Sequence, residues 1–304
     1  MFSIACRNCL GLNNRATPDS LAWNGRTGAF QAAPIVNLEL HDGGRIWTTR
    51  PGFSRIMDLD HPHSPFVDGD RWYVASGDTL HVVSGLVATP LVTGLTPGLR
   101  LAWCRQGDEL YWSNGLQKGC IVGGQAKPWG GLPYSSDARE AAAFREVPAG
   151  TVLAAFGGRI WIGVDDEVRY TVPGFPHHCR IGSDRLPRQS SAVRMIMPVD
   201  DGFYVSTEDR ICFYAGWDVS QMVMTVVSRE PVRQGMFLPV LASDVVAHLN
   251  PVRAILWATA TGLELGISQG NVLKLTYNNV AMDAPASWGA LLRLPRRVVA
   301  LYHP

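Results

Sequence analysis

No stretch of the 304 residues approaches the roughly 18 unbroken apolar positions that a membrane-spanning helix needs, so membrane insertion is not expected. The opening residues, MFSIACRNCLGLNNR, lack a basic start followed by a sustained apolar run, and the sequence reads as soluble and unsecreted. A dominant charge of one sign is missing too. Lysine plus arginine number 27 against 26 acidic residues, which leaves no net field to draw the whole molecule onto nucleic acid or a lipid surface. The six cysteines supply no disulfide framework, because Cys104, Cys120, Cys179 and Cys212 lie far apart. Cys6 and Cys9 have the spacing of half a zinc site, but no second Cys/His pair follows at finger-like distance, and reduced thiols are expected there.

Signatures of catalysis are equally scarce. The chain has no G-x-S-x-G elbow, no Walker loop and no H-E-x-x-H pair. Three clusters collect groups of metal-ligating type. DLDHPHSPFVDGD, Asp58 to Asp70, holds four aspartates with His61 and His63, but prolines interrupt it and aspartates at turns usually serve their own backbone. PGFPHHCR places His177, His178 and Cys179 side by side, and strand neighbours point to opposite faces. GVDDEVR, Gly163 to Arg169, has three consecutive acids without the spaced ligand series of a calcium loop, and reads as a solvated hairpin turn. The expectation is therefore no enzyme, no metal and no cofactor.

Helical periodicity is confined to SSDAREAAAFREV, Ser135 to Val147. What the chain has instead is a repeated sentence. GGRIWTTRPGFSRI from Gly43 returns in part as GGRIWIGVDDEVRYTVPGF from Gly157. Related units are GDRWYVASGDTLHVVSG from Gly69, GDELYWSNGLQKGCIVGG from Gly107, DGFYVSTEDRICFYAG from Asp201 and TGLELGISQGNVLKLTYN from Thr261. Each couples a Gly/Asp turn to a short aromatic and β-branched run, a second polar turn and another apolar-alternating run, which is the chemistry of a β-hairpin.

Ile46, Trp72, Leu110, Ile160, Phe203 and Leu263 are equivalent positions, and the later spacings bracket the roughly 40–50 residues of a four-stranded propeller blade. Further apolar runs precede the hairpins, in LRLAWCRQ, TVLAAFGG, AVRMIMPVDD and RAILWATAT, and these are expected to be the innermost strands. The fold expected is all-β, a β-propeller of about five or six blades with an extended N-terminal arm; a two-sheet sandwich with irregular repeats is the competing architecture. Residues 1–32 are expected to form the arm and residues 33–304 the propeller, closed by pairing of strands in APIVNLELHDGGRIWTTRPGF with strands in ALLRLPRRVVALYHP, which would hide two sheet edges. The ten tryptophans and the pairs Trp72-Tyr73 and Tyr111-Trp112 are expected to fill the space between blades rather than to form a sugar-stacking surface.

The amino-terminal third resembles a family of tailed-bacteriophage virion proteins. The similarity lies in GLNNRATPDSL from Gly11, APIVNLELHDGGRIWTTRPGFSRI from Ala33 and VDGDRWYVASGDTLHVVSG from Val67, and GRIWIGVDDEVRYTVPGFPH is similar to a line that recurs in that family. Two departures are Pro34-Ile35-Val36 before Asn37, and Val164 followed by Asp165-Asp166 where the family has a small residue before its turn.

The resemblance implies a structural part of the tail or neck, a ring-forming nozzle or tail accessory protein that extends the DNA channel. It would be made in the host cytoplasm and located in the virion. Implied partners are copies of itself, other neck or tail proteins such as the adaptor, the portal or a tail fibre, and genomic DNA in transit. The arm would dock onto neighbours through Leu12, Asn13, Asn14, Arg15, Trp23 and Arg26. The alternative is a propeller enzyme or carbohydrate-binding tail protein acting on host surface polysaccharide. The enzyme would need paired carboxylates about 5–10 Å apart, and no such pair stands out among the acids.

Overall fold

The computed structural model describes residues 56–131 and 133–276 throughout, and the strand backbones within residues 3–49 and 288–303. At the front, β1 (Ser3–Ala5), β2 (Cys9–Leu12), β3 (Trp23–Asn24), β4 (Ala29–Ala32), β5 (Leu38–His41) and β6 (Ile46–Thr49) make two three-stranded sheets, ordered β1-β6-β5 and β2-β4-β3. Ser3 pairs with Thr48 and Ala5 with Ile46, so a ladder crosses the boundary expected between an arm ending at residue 32 and the rest of the chain.

Five antiparallel meanders follow. The first holds β7 (His63–Asp68), β8 (Arg71–Ser76), β9 (Thr79–Ser84) and β10 (Val87–Val92). The second holds β11 (Ala102–Gln106), β12 (Glu109–Ser113), β13 (Lys118–Val122) and β14 (Gln125–Lys127). After the helical turn α1 (Ala138–Ala141) comes β15 (Phe144–Glu146), and then the third meander of β16 (Val152–Phe156), β17 (Arg159–Val164) and β18 (Glu167–Tyr170). β19 (His178–Arg180) returns to pair with β15. The fourth meander is β20 (Val193–Pro198), β21 (Gly202–Thr207), β22 (Ile211–Ala215) and β23 (Val223–Ser228). The fifth is β24 (Phe237–Leu241), β25 (Arg253–Thr259), β26 (Gly262–Gly266) and β27 (Val272–Lys274), with the turn α2 (Ala242–Val245) between its first two strands. A hairpin of β28 (Trp288–Leu294) and β29 (Arg297–His303) comes last.

The hairpin turns explain the recurring Gly/Asp pairs. Gly77-Asp78 joins β8 to β9 and Gly157-Gly158 joins β16 to β17 as two-residue loops, and the first residue of each sits at φ +58° and +61°. A two-residue turn that matches the strand twist needs this left-handed backbone, which glycine adopts without steric cost. The same corner between β17 and β18 is made by Asp165 at φ +49°. Aspartate is one of the few side chains that tolerate it.

β11, β16, β20 and β25 lie against one another in succession. These are the strands of the four apolar runs expected to be innermost. The fifth meander departs in one respect: the apolar segment Phe237–Leu241 adds β24 on the other side of β25, so β25 is its second strand. The helix expected over residues 135–147 is a single turn, α1, capped by the Asp137 carboxylate, which accepts from Arg139 N at 2.8 Å. Tertiary pairing overrides helical propensity in the second half of that segment, because Phe144–Glu146 ladders onto His178–Arg180 and the Phe144 ring stacks on Tyr134 at 3.6 Å.

Successive meanders enclose separate apolar clusters. Tyr73, Leu80, Leu110 and Trp112 pack between the first and second. Tyr111, Trp129, Ile160 and Ile162 pack between the second and third. Trp161, Phe203 and Tyr214 lie between the third and fourth, and Tyr204, Phe213 and Trp257 between the fourth and fifth. A last cluster, with Leu256 and Leu265, reaches Leu291 of β28. Tyr111 and Trp112, neighbours on one strand, thus feed opposite interfaces, because successive side chains alternate across a sheet. Large rings between sheets are the arrangement expected of the aromatic residues. Among the described residues β28 pairs with β29 and β5 with β6, and no ladder joins the two hairpins; the shared blade stays an expectation. No helix among the described residues is long and apolar enough to cross a membrane.

Candidate functional site

Of the docking residues expected in the arm, Leu12 lies in β2 and Trp23 in β3. Asn13, Asn14, Arg15 and Arg26 lie outside the described residues, as does Cys6. The clusters of ligating type resolve into local pairings. His61 Nδ1 meets Asp60 Oδ1 at 2.6 Å on the surface, while His63 Nδ1 meets Ser64 Oγ at 2.9 Å. Asp68 pairs with Arg105 on the neighbouring meander. His177 Nδ1 accepts from Gly130 N at 3.1 Å, His178 packs edge-on to Tyr134, and Cys179 is fully buried. Burial pushes the Cys179 thiol up to about 12, so it stays protonated. Among the described residues no three His, Cys, Asp or Glu side chains are grouped to hold a metal.

The acidic run at the β17–β18 corner differs from the solvated turn expected of it. Asp165 and Asp166 make the corner, but Glu167 turns inward with a side chain 8% exposed. Its Oε2 lies 2.5 Å from Arg169 Nη2, and its Oε1 lies 3.1 Å from Arg185 Nη1 and 3.3 Å from Arg188 Nη2. One carboxylate therefore holds three guanidiniums. The signal was in the alternation Glu167-Val168-Arg169, which places acid and base on one strand face, but the partners at Arg185 and Arg188 arrive from a loop that no local pattern announces.

That network borders a cleft of about 640 Å³ between the third and fourth meanders. Arg159 from β17, Tyr170 from β18 and Arg180 from β19 line one wall with Arg185, and the loop Trp217–Ser220 between β22 and β23 lines the other. The Arg159 guanidinium sits over the Tyr170 ring at 4.9 Å and donates to Thr171 O at 3.0 Å. Arg180 lies over Phe144 at 5.6 Å. Neither Arg159 nor Arg180 has a carboxylate within ion-pair distance among the described residues. The two acids of the cleft are engaged already. Asp184 Oδ2 accepts from Arg180 N at 2.6 Å, and Asp218 Oδ1 accepts from Ser220 N and Oγ at 3.0 and 2.7 Å. These Ser220 bonds, with the Arg159 charge, lower the Asp218 pKa and keep it ionised.

A second feature lies on the rim. β23, VMTVVS, is the last strand of its meander, with Val223 63%, Met224 51% and Val226 43% exposed. The last strands of the other four meanders carry a proline or a charge: Pro90 in β10, Lys127 in β14, Glu167 and Arg169 in β18, and Lys274 in β27. Charges and prolines on edge strands prevent pairing with foreign strands, and β23 has neither. Its guard is limited to an irregular register near Ser228. Trp217, 43% exposed, stands just before it.

No protein-family model and no curated protein matches the chain. Solved structures do. The extracellular domain of a one component system, BT4673 from B. thetaiotaomicron, is similar with a TM-score of 0.54 at 10% identity, covering 87% of this chain and 36% of that one. The chain thus spans about a third of the length of that relative. The WD40 beta propeller domain of Doa1 is similar at a TM-score of 0.50 and 14% identity, over 80% of this chain and 76% of that one. BBS1N, solved in complex with ARL6DN, is similar at 0.50 and 12%, over 84% and 79%. With its successive antiparallel meanders and the apolar wedges between them, the protein is a β-propeller.

Proposed function

We propose that the protein is a non-enzymatic structural component of a tailed-bacteriophage virion, a ring-forming nozzle or tail accessory protein at the neck or tail that extends the DNA channel. The observation that carries this reading is the unguarded apolar edge of β23 with Trp217 beside it. A cyclic ring repeats one heterologous contact until the rotation closes, and such an edge supplies half of that contact for a second copy of the chain. A propeller built of tightly packed wedges is a rigid disc suited to the purpose. A net charge of +1 also suits a channel wall, because strong phosphate binding with counterion release would hold a genome that has to pass. The virion setting comes from the resemblance of the first third, and adaptor, portal or tail fibre are the neighbours it implies.

Gold-labelled antibody on purified particles, with protein identification of the same particles, tests the proposal. Label at the neck or tail is the expected result. Protein confined to the host cytosol and absent from particles would overturn it.

A further inference from the structure

The cleft between the third and fourth meanders shares only Trp217 with the apolar edge at β23, and its composition argues for a ligand. We propose that this cleft binds an anionic monosaccharide unit, its carboxylate or phosphate held by Arg159 and Arg180 and its ring lying against Trp217. At about 640 Å³ it has the size of a small-molecule site. Two guanidiniums face it that have no carboxylate within ion-pair distance among the described residues, one from a strand of the third meander and one from β19. A guanidinium lacking a counter-ion favours an incoming anion, most of all where it is half-buried as Arg159 is, and its planar fork fits a carboxylate or phosphate in two-point contact. The third cation, Arg185, belongs to a network of three arginines against two acids, Glu167 and Asp166, which leaves one positive charge in surplus.

The opposite wall fixes the rest of the ligand. The Trp217 ring is anchored edge-on to Phe156 at 5.7 Å yet stays 43% exposed. Such a ring offers an apolar face to a sugar's C–H groups, and Ser183 and Ser220 line the same cleft, where they meet sugar hydroxyls. Asp184 and Asp218 keep their charges, with Asp184 Oδ2 held by Arg180 N and Asp218 Oδ1 by Ser220, and the three arginines of the lining outnumber them. This inference does not depend on the virion reading.

Titration calorimetry of the full chain with glucuronate, glucose 6-phosphate and uncharged glucose tests it. Glucuronate and glucose 6-phosphate identify the carboxylate and phosphate arms separately, and at least one of them is expected to bind about tenfold or more tightly than glucose, with affinity falling as salt is raised. Arg180→Gln is the decisive variant, because Arg180 is exposed, makes no ion pair among the described residues and can be changed without disturbing the core. It is expected to weaken the anionic sugar about tenfold and leave the melting temperature unchanged. Trp217→Ala should weaken charged and uncharged sugars alike. Absence of binding by both anionic sugars, binding of glucose as tight as theirs, or full affinity in Arg180→Gln would each overturn the proposal.

Discussion

Glu167 Oε2 and Arg169 Nη2 meet at 2.5 Å on one face of β18, with side chains 8% and 19% exposed. The pair closes the gap between the third meander and the loop that carries Arg185 and Arg188. Removing one member of a buried pair leaves the other charge without compensation, whereas replacing both by apolar groups of similar volume is often neutral.

Glu167→Ala is therefore expected to destabilise the protein by about 3 kcal/mol in urea denaturation. Glu167→Leu with Arg169→Met should recover most of the loss. Equal stability of the single variant and the parent would mean that the network has no structural weight.

At the adjoining corner, Asp165 holds φ +49° while its carbonyl accepts from Val193 N at 2.8 Å. A glycine there keeps the backbone bond and relieves the strain, so Asp165→Gly should equal or exceed the parent in stability. Asp165→Val, β-branched, should lose about 1–2 kcal/mol. Thermal melts of the two variants check the order.

Two carboxylates give opposite pH signatures. Burial, reinforced more weakly by Glu230, raises the Glu264 pKa, although a bond from Trp257 Nε1 at 3.0 Å opposes it. The folded state thus holds this proton more tightly than the unfolded chain. Stability falls as pH rises from the ordinary glutamate value through the raised one, and Glu264→Gln should be the more stable protein above that window and equal below it. Asp209 is the reverse. Bonds from Ser190, Thr207, Arg210 and Ser191 lower its pKa, so its contribution is present above the ordinary aspartate value and lost on acidification through the lowered one. Urea midpoints of Glu264→Gln, Asp209→Asn and the parent across acid to neutral pH separate the two.

Met224 and Val226 share one face of the unguarded strand. Met224→Lys with Val226→Lys adds the guard that the other meanders possess. Sedimentation velocity is expected to show self-association of the parent and none of the variant, at equal melting temperature. Unchanged association would remove β23 from the interface.

The propeller was legible in the sequence because its determinants are local. Gly77-Asp78 and Gly157-Gly158 announce hairpins by turn chemistry, and the runs ending in β11, β16, β20 and β25 announce inner strands by apolar content. The helix over residues 135–147 was overestimated, because the pairing of Phe144–Glu146 with a strand more than thirty residues later has no local signature. The same holds for both candidate sites. Arg180 and Trp217 come from different sheets and meet only in the folded chain, and the exposure of Val223 and Met224 depends on which strand of the meander they occupy. Glu167 looked like one more acid of a polar turn until alternation turned it inward.

The placement of Tyr111 and Trp112 in opposite interfaces has a consequence for how the molecule comes apart. Each inner meander is a party wall: peeling it away strips the cover from two apolar clusters at once. No sheet in the middle of the array can be shed alone at small cost, so opening should be all-or-none there, and the inner meanders should share one slow rate of amide exchange.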